Sequence, residues 1–385
     1  MPGRTQGLGL ITEPLLKDLQ INRVDYATIN LVATLLGALA CLPIGRWIDG
    51  FGSRIVLTAT ALALGLTVVS MSATTGFAAL CIAITLTRAL GQSALSVISL
   101  ALVGKWFSSK LNMAMGIFSV LVGFGFIAAF SAVGPAVLNF GWRTAWAGIG
   151  WTILLVLVPL SWMFARNKPE EQGLSLDGLA TAAPQGPDFT LPEALGSPAF
   201  WLFALSSATF ALAYSGISLF NESILIQLGF NAETYHRVLI ISTMLGLAAN
   251  FACGWLATKW PIQRVMGIGM AVLAASLAWL PMVRTELDVT IYGIGMGVAG
   301  GVVTVVFFSV WGQVFGRAHL GRIQGIAQMM TVLASAIGPL LLAETLRISG
   351  SYNSMFQTLA VAVTLLGLGC WSVPLPEPRV RYTHA

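Results

Sequence analysis

"GRWIDGFGSR", residues Gly45 to Arg54, interrupts a chain in which charge is otherwise scarce. Ten positions hold two arginines, one aspartate and three glycines, with apolar stretches on both sides. The full chain of 385 residues is 56% hydrophobic and only 9% charged, with a mean hydropathy of +0.83. Soluble domains carry about a quarter charged residues, so this chain cannot solvate its own surface and takes lipid as its main solvent. The segment therefore reads as a short charged turn between two membrane spans. The net charge of +5 comes from basic residues scattered in ones and twos. A nucleic-acid-binding surface would cluster them, so that class is set aside.

A spanning helix needs roughly 20 apolar residues. That ruler predicts eleven spans, at 26–44, 55–75, 77–104, 113–138, 144–164, 199–221, 237–257, 265–283, 289–311, 323–345 and 354–373. Most connections are short, which favours antiparallel neighbours. The exception is 166–198, "RNKPEEQGLSLDGLATAAPQGPDFTLPEALGSP", rich in Pro and Gly and carrying five acids. It reads as a solvated linker between two helical bundles, 1–165 and 199–373, with a tail at 374–385. The opening "MPGRTQGLGLITEPLL" is too short to cross a bilayer and lacks the features of a signal peptide. It has the character of the second half of a spanning helix.

Lysines and arginines in alternate loops number twelve on the side of Gly45–Arg54 and six on the other. This bias places the turn, the linker and the C-terminus in the cytoplasm. Cys41, Cys81, Cys253 and Cys370 stand alone in apolar runs and read as buried packing residues. His236, His319 and His384 lie near span ends or in the tail, so the spans carry no constellation for a metal, a cofactor or a nucleophile. An enzyme is not expected, and the absence of GxxxxGK[ST] disfavours ATP-driven transport.

The charged turn recurs in weaker form. "GWLATKWPIQR", Gly254 to Arg264, also follows a span, and Gly254 lies 209 residues after Gly45. Gly134-Pro135 and Gly338-Pro339, each in the outer half of a span and a candidate bend, are 204 apart. Two landmarks at nearly one offset, on either side of the linker, indicate a duplicated six-helix unit. Six plus six requires twelve spans, and the opening fragment supplies the twelfth in part.

These residues resemble the major facilitator superfamily, whose loop between helices two and three reads G-x-x-x-D-[RK]-x-G-[RK]-[RK]. Gly45, Asp49, Gly52 and Arg54 match, while Gly50 and Ser53 replace basic residues. "RALGQSALSVIS" (Arg88–Ser99), "KWFSSKLNMAMGI" (Lys105–Ile117), "GWR" (Gly141–Arg143), "RNKPEEQGLSLDG" (Arg166–Gly178) and "FGRAHLGRIQGI" (Phe315–Ile326) are similar to bacterial monocarboxylate and oxalate–formate carriers. "WF" is there usually followed by a basic pair and glycine; here Leu111 and Asn112 intervene. The family's first helix commonly carries "PGQTxG", matched by Pro2, Gly3, Thr5 and Gly7, with Arg4 in place of glutamine. The implied fold is an all-α membrane protein of two six-helix bundles, its first helix only partly present. The implied activity is transport of a small organic solute, an organic anion such as a carboxylate, by alternating access. A monomer in the inner (plasma) membrane, working on a small solute in lipid without cofactor, metal or nucleic acid, is the expectation. The rival reading is a transporter-like solute sensor, or a truncated carrier that does not function; no signalling domain is appended to the short linker.

The resemblance also implies a latch: Asp49 faces the start of helix eleven near Arg322–Gly325. By its own chemistry Asp49 can favour a helix N-terminus, with Arg54 pairing to it or to lipid headgroups, and Gly45 and Gly52 allow close approach. The alternative is a loop that sets topology only. In the second repeat Thr258 replaces the aspartate.

Charge at membrane depth is costly and usually functional. Arg88 lies eleven residues inside its span, about 17 Å deep. It could hold an anion by a charge-assisted fork, or bond structurally to neighbouring backbone carbonyls. Arg4 is the second candidate. Gln6, Gln92, Ser96, Asn221, Asn250, Gln324 and Gln328 form the neutral polar set from which cavity-lining residues would come. The monocarboxylate carriers usually place an arginine in helix eight, yet "LIISTMLGLAANFACGW" (Leu239–Trp255) is uncharged. That departure favours a bulkier or partly apolar cargo, and Trp201, Phe210, Tyr214, Phe220, Phe307, Phe308 and Trp311 supply aromatic surface for it.

Overall fold

The computed structural model describes the backbone at 2–4, 7–8, 10–21, 23–107, 110–174, 188–230 and 232–376. Within these stretches, the side chains at 13, 23, 24, 27, 130, 219, 222, 223, 232, 233, 235 and 236 lie outside the description. All its regular elements are helical, as lipid requires, because only an internally bonded helix or a closed barrel satisfies every backbone group there.

α1 is Thr12–Leu19; α2 is Arg23–Leu39, continued after Ala40 by α3, Cys41–Phe51. α4 (Ser53–Ser72), α5 (Phe77–Trp106), α6 (Leu111–Phe140) and α7 (Trp142–Phe164) follow. Beyond 187 come α8 (Pro198–Gln227), α9 (Ala232–Leu256), α10 (Ile262–Trp279), α11 (Glu286–Phe315), α12 (Leu320–Ser349) and α13 (Asn353–Ser372). Eleven helices among the described residues are long and apolar enough to span a bilayer, and each matches a predicted span.

The boundaries correct one expectation. Gly45–Phe51 is not a turn but the last two turns of α3. The chain reverses at Gly52 alone, which has φ +86 and hands over to α4 at Ser53. The positive φ is what calls for glycine there; a Cβ at Gly52 would stand 2.5 Å from the Asn167 Oδ1, a side-chain end that can shift. The residues are charged because they finish a helix at the membrane surface.

Two compact units form. The first comprises Met1–Trp106, Val122–Gly178 and Leu320–Val332; the second comprises Phe107–Leu121, Leu179–His319 and Leu333–Ala385. In the first, Leu8, Ile11, Leu15 and Leu16 of the opening segment are buried in one cluster with Leu64, Val68, Ile84 and Trp146. In the second, Phe200, Trp311 and Phe315 form an aromatic core, with Phe307 on Trp311. Pro135 and Pro339 sit inside helices that continue past them. Gly338 lies against α8, where a Cβ would meet the Leu212 carbonyl oxygen at 2.1 Å; nothing stands within 4 Å of Gly134.

The end of the linker is more ordered than a solvated tether. Thr190 and Glu193 form a capping box that opens a short helix, Leu191–Leu195. Asp188 accepts backbone N–H bonds from Arg317 and Ala318 at 2.8 and 2.9 Å. The signal was in the sequence as T-x-x-E, the capping-box spacing, at Thr190–Glu193.

Candidate functional site

α5 carries a buried charge near its middle, Arg88. Its middle, Arg88–Ala94, is a π-helical turn, with α-helix before and after it. Such turns insert an extra residue and recur at functional sites. Backbones approach it from two sides: a Cβ at Gly3 would lie 2.3 Å from the Thr87 carbonyl oxygen, and one at Gly37 would lie 3.0 Å from the Ala89 nitrogen.

Arg88 is 3% exposed. Its Nη2 donates to Asn30 Oδ1 at 2.8 Å, and its Nη1 to Gln92 Oε1 at 2.9 Å and, at a longer 3.4 Å, to the Gly3 carbonyl oxygen. These acceptors solvate the guanidinium without cancelling its charge. Arg4 is half-buried and donates from Nη2 to Ser96 Oγ at 2.8 Å, while Ser96 Oγ donates to the Gln92 carbonyl at 2.6 Å. Arg4, Arg88, Gln92 and Ser96 thus form one polar cluster with Asn30, a residue that sequence reasoning did not single out. Its signal was a lone asparagine inside an apolar span.

The remaining candidates are elsewhere. Gln6 lies outside the described residues. Gln324 and Gln328 are buried on α12, and both side-chain ends of Gln324 are without a hydrogen-bond partner among the described residues. Asn221 and Asn250 lie on α8 and α9, each with an unpartnered Oδ1 among the described residues. Of the aromatic set, Trp311 and Phe307 are buried in the core and are not available as cargo-facing surface. Phe210 and Tyr214 stack at 5.3 Å, and Tyr214 keeps 43% exposure.

A second polar centre surrounds Asp49, whose side chain is 3% exposed. Its Oδ1 and Oδ2 accept the backbone N–H groups of Gly321 and Arg322 at 3.1 and 3.0 Å. Those are first-turn groups of α12, where orphan N–H and the helix dipole favour a carboxylate. Lys105 Nζ, 5% exposed, stands 3.3 Å from Oδ1 and donates to the Ile48 carbonyl at 3.3 Å. Sequence reasoning missed Lys105, because nothing local says that the inner end of α5 lies against that of α3. Arg54 does not take the role of Asp49's partner: it donates from Nε to the Trp162 carbonyl at 2.8 Å, and its guanidinium lies 4.2 Å over the Trp162 ring. Gly45 lets α3 and α12 touch, since a Cβ there would stand 2.4 Å from the Gly321 carbonyl oxygen.

The second unit holds a related contact made differently. Asn112 Nδ2, buried on α6, donates to the Ala257 carbonyl beyond α9 at 2.7 Å. Beside it Gly116 and Gly254 meet, with a Cβ at Gly254 only 3.2 Å from the Gly116 Cα.

Comparison with known proteins follows from this geometry. The family model of the Major Facilitator Superfamily matches residues 5–339 and 220–384. The chain belongs to the Major Facilitator Superfamily. It is a multi-pass membrane transporter of a small solute, as the sequence resemblance implies, and not an enzyme. This superfamily member is 26% identical over 383 residues to an uncharacterized 38 kDa protein in the 23S RNA operon of Thermoproteus tenax, covering 99% of this chain and 91% of that one. It is 24% identical over 285 residues to monocarboxylate transporter 13 of Rattus norvegicus, covering 70% of this chain and 61% of the relative. Among solved structures, the human organic anion transporter MFSD10 (TETRAN) superposes with a TM-score of 0.65 at 15% identity, over 89% of this chain and 83% of that one. The E. coli fucose:proton symporter FucP superposes at 0.73 with 11% identity, over 96% and 95%. At such identities these two speak for the fold.

Proposed function

We propose that this protein carries a small organic anion of the carboxylate class across the plasma (inner) membrane. The observation that carries the reading is the gathering of Arg4 and Arg88 in one cluster in which four acceptors among the described residues, Ser96, Asn30, Gln92 and the Gly3 carbonyl, are neutral. Between Asp49 and Glu170 the sequence contains no acid at all. Two cations at membrane depth, solvated by neutral dipoles, make the surroundings attractive to an anion and hostile to a cation. The name of a similar protein, a monocarboxylate transporter, favours the same class.

Alternating access of two six-helix halves, 1–165 and 199–373, is the proposed cycle. Asp49 on the N-terminus of α12 serves as its latch, with Gly45 allowing the close approach and Gly52 the chain reversal, while Arg54 is held by Trp162. The basic bias of the loops supports a cytoplasmic C-terminus and linker. The test is uptake into liposomes holding the purified full chain, with radiolabelled mono- and dicarboxylates set against neutral amide analogues. Saturable uptake of a carboxylate, competed by carboxylates and not by the amides, is expected. Uptake confined to neutral or cationic solutes would overturn the reading.

A further inference from the structure

The two arginines of the cluster do different work. Arg88 is closed in by α2, by its own helix and by the opening segment, through Asn30, Gln92 and Gly3. A guanidinium so placed would have to break protein contacts before it could meet a solute. Arg4 is half-buried and, among the described residues, makes one side-chain hydrogen bond, to Ser96. A guanidinium has five N–H donors in a planar fork, and the larger part of this one makes no hydrogen bond among the described residues.

The backbone links them. Gly3 is seated on the π-helical turn, with room for no side chain: beyond the Thr87 oxygen, a Cβ would lie 2.8 Å from the Gln92 nitrogen and 2.8 Å from the Gly91 Cα. Arg88 bonds the carbonyl of that same glycine, the peptide group that leads into Arg4. Ser96, two turns along α5 from Arg88, fixes the far end of the Arg4 side chain. Seat, clamp and stay together set where the Arg4 fork points.

We infer that Arg4 is the residue that contacts the anionic solute and that Arg88 is a positioning residue acting on it through Gly3. This rests on the organic-anion reading given above. It assigns solute affinity to a position where the resembling family commonly has a neutral glutamine, and so makes Arg4 a determinant of this chain's preference for charge.

The experiment uses the full chain in phosphatidylethanolamine–phosphatidylglycerol liposomes, with the best-transported carboxylate of the panel as probe. Arg4→Gln should raise KM about tenfold or more, as loss of a charge-assisted contact does, while thermal unfolding in detergent stays near wild type. Arg4→Lys should recover part of the loss. Arg88→Gln should also raise KM, and the Arg4→Gln/Arg88→Gln double variant should be no worse than Arg4→Gln alone, because both act on one contact. If Arg88→Gln does not fold, Gly3→Ala replaces it, since it moves the Arg4 backbone while both guanidinium groups are retained; it too should raise KM. An Arg4→Gln protein with unchanged KM overturns the inference. So does an Arg88→Gln effect on KM that multiplies with that of Arg4→Gln, which would mean direct contact by Arg88. An effect of Arg88→Gln on Vmax and folded yield without one on KM reduces Arg88 to a structural role and also overturns it. Carboxylate uptake by wild type with KM unaltered in Arg4→Gln sinks this inference alone, whereas no carboxylate uptake by wild type sinks the anion reading itself.

Discussion

The Asp49 carboxylate receives the backbone N–H of Gly321 at 3.1 Å from 272 positions away in the chain. It is one of two such bonds, the other from Arg322. The acid caps a helix to which it does not belong, and Lys105 Nζ stands 3.3 Å from the oxygen that Gly321 bonds. Helix capping, interhelical packing and charge balance therefore depend on a single side chain.

Replacing that side chain should weaken the conformer in which the contact is made. Asp49→Asn removes the charge opposite buried Lys105 and one strong acceptor, at a cost of about 2–4 kcal/mol. Cysteine-accessibility labelling of the cytoplasmic ends of α3 and α12 should show a shifted conformational balance. Solute affinity measured in a fixed conformation should change less than the transport rate. An unchanged balance would leave the segment as topology only.

Lys105→Met in the Asp49→Asn background should restore stability. The single Asp49 variant leaves a buried ammonium without its carboxylate, and removing that ammonium relieves the desolvation cost, so the double variant should recover about 1–3 kcal/mol. Thermal unfolding in detergent measures it, and a double variant less stable than Asp49→Asn would count against the pairing.

Gly45→Ala and Gly50→Ala give a matched pair. The first places a Cβ 2.4 Å from the Gly321 carbonyl oxygen and the second meets nothing within 4 Å. Since backbone cannot yield as a flexible side chain does, Gly45→Ala should cost about 1–3 kcal/mol. Gly50→Ala lies inside α3 and should be neutral or gain up to about 1 kcal/mol. Equal melting temperatures would refute the close approach.

Proton coupling should be absent at the level of the protein's own side chains. All fifteen Asp and Glu residues fall in loops, the linker, the tail or the ends of spans, and a symporter usually needs a titrating group near the midplane. Exchange, facilitated diffusion, or a proton riding on the solute's own carboxyl group is the expected behaviour. Proton flux into liposomes, measured with a permanently charged analogue, should stay at background; stoichiometric co-transport would reject the idea.

Much of the fold could be read from the residues alone. Eleven apolar stretches of about 20 residues leave a chain in lipid little choice but helices, since each backbone group must be satisfied within its own segment. The placing of Gly45 and Gly254, and the G-x-x-x-D spacing, then sufficed for the superfamily. Charge at the end of α3 suggests a turn, whereas the helix runs on to Phe51 and the chain reverses only at Gly52. Arg54 was offered to Asp49 or to lipid, but Trp162 takes it. The T-x-x-E at Thr190 was legible and overlooked.

What the sequence determined by itself is what depends on neighbours along the chain: helix against strand, the number of spans, the scarcity of acids, the polarity of the loops. Those follow from the solvent and from the fixed geometry of the α-helix. Which groups meet was decided only by the tertiary structure. Lys105 against Asp49, Asn112 against Ala257 and Arg88 against Gly3 join positions 56, 145 and 85 residues apart. No local pattern encodes such a distance, because a buried hydrogen bond specifies the chemistry of its partner and leaves that partner's place in the chain to the packing of whole helices.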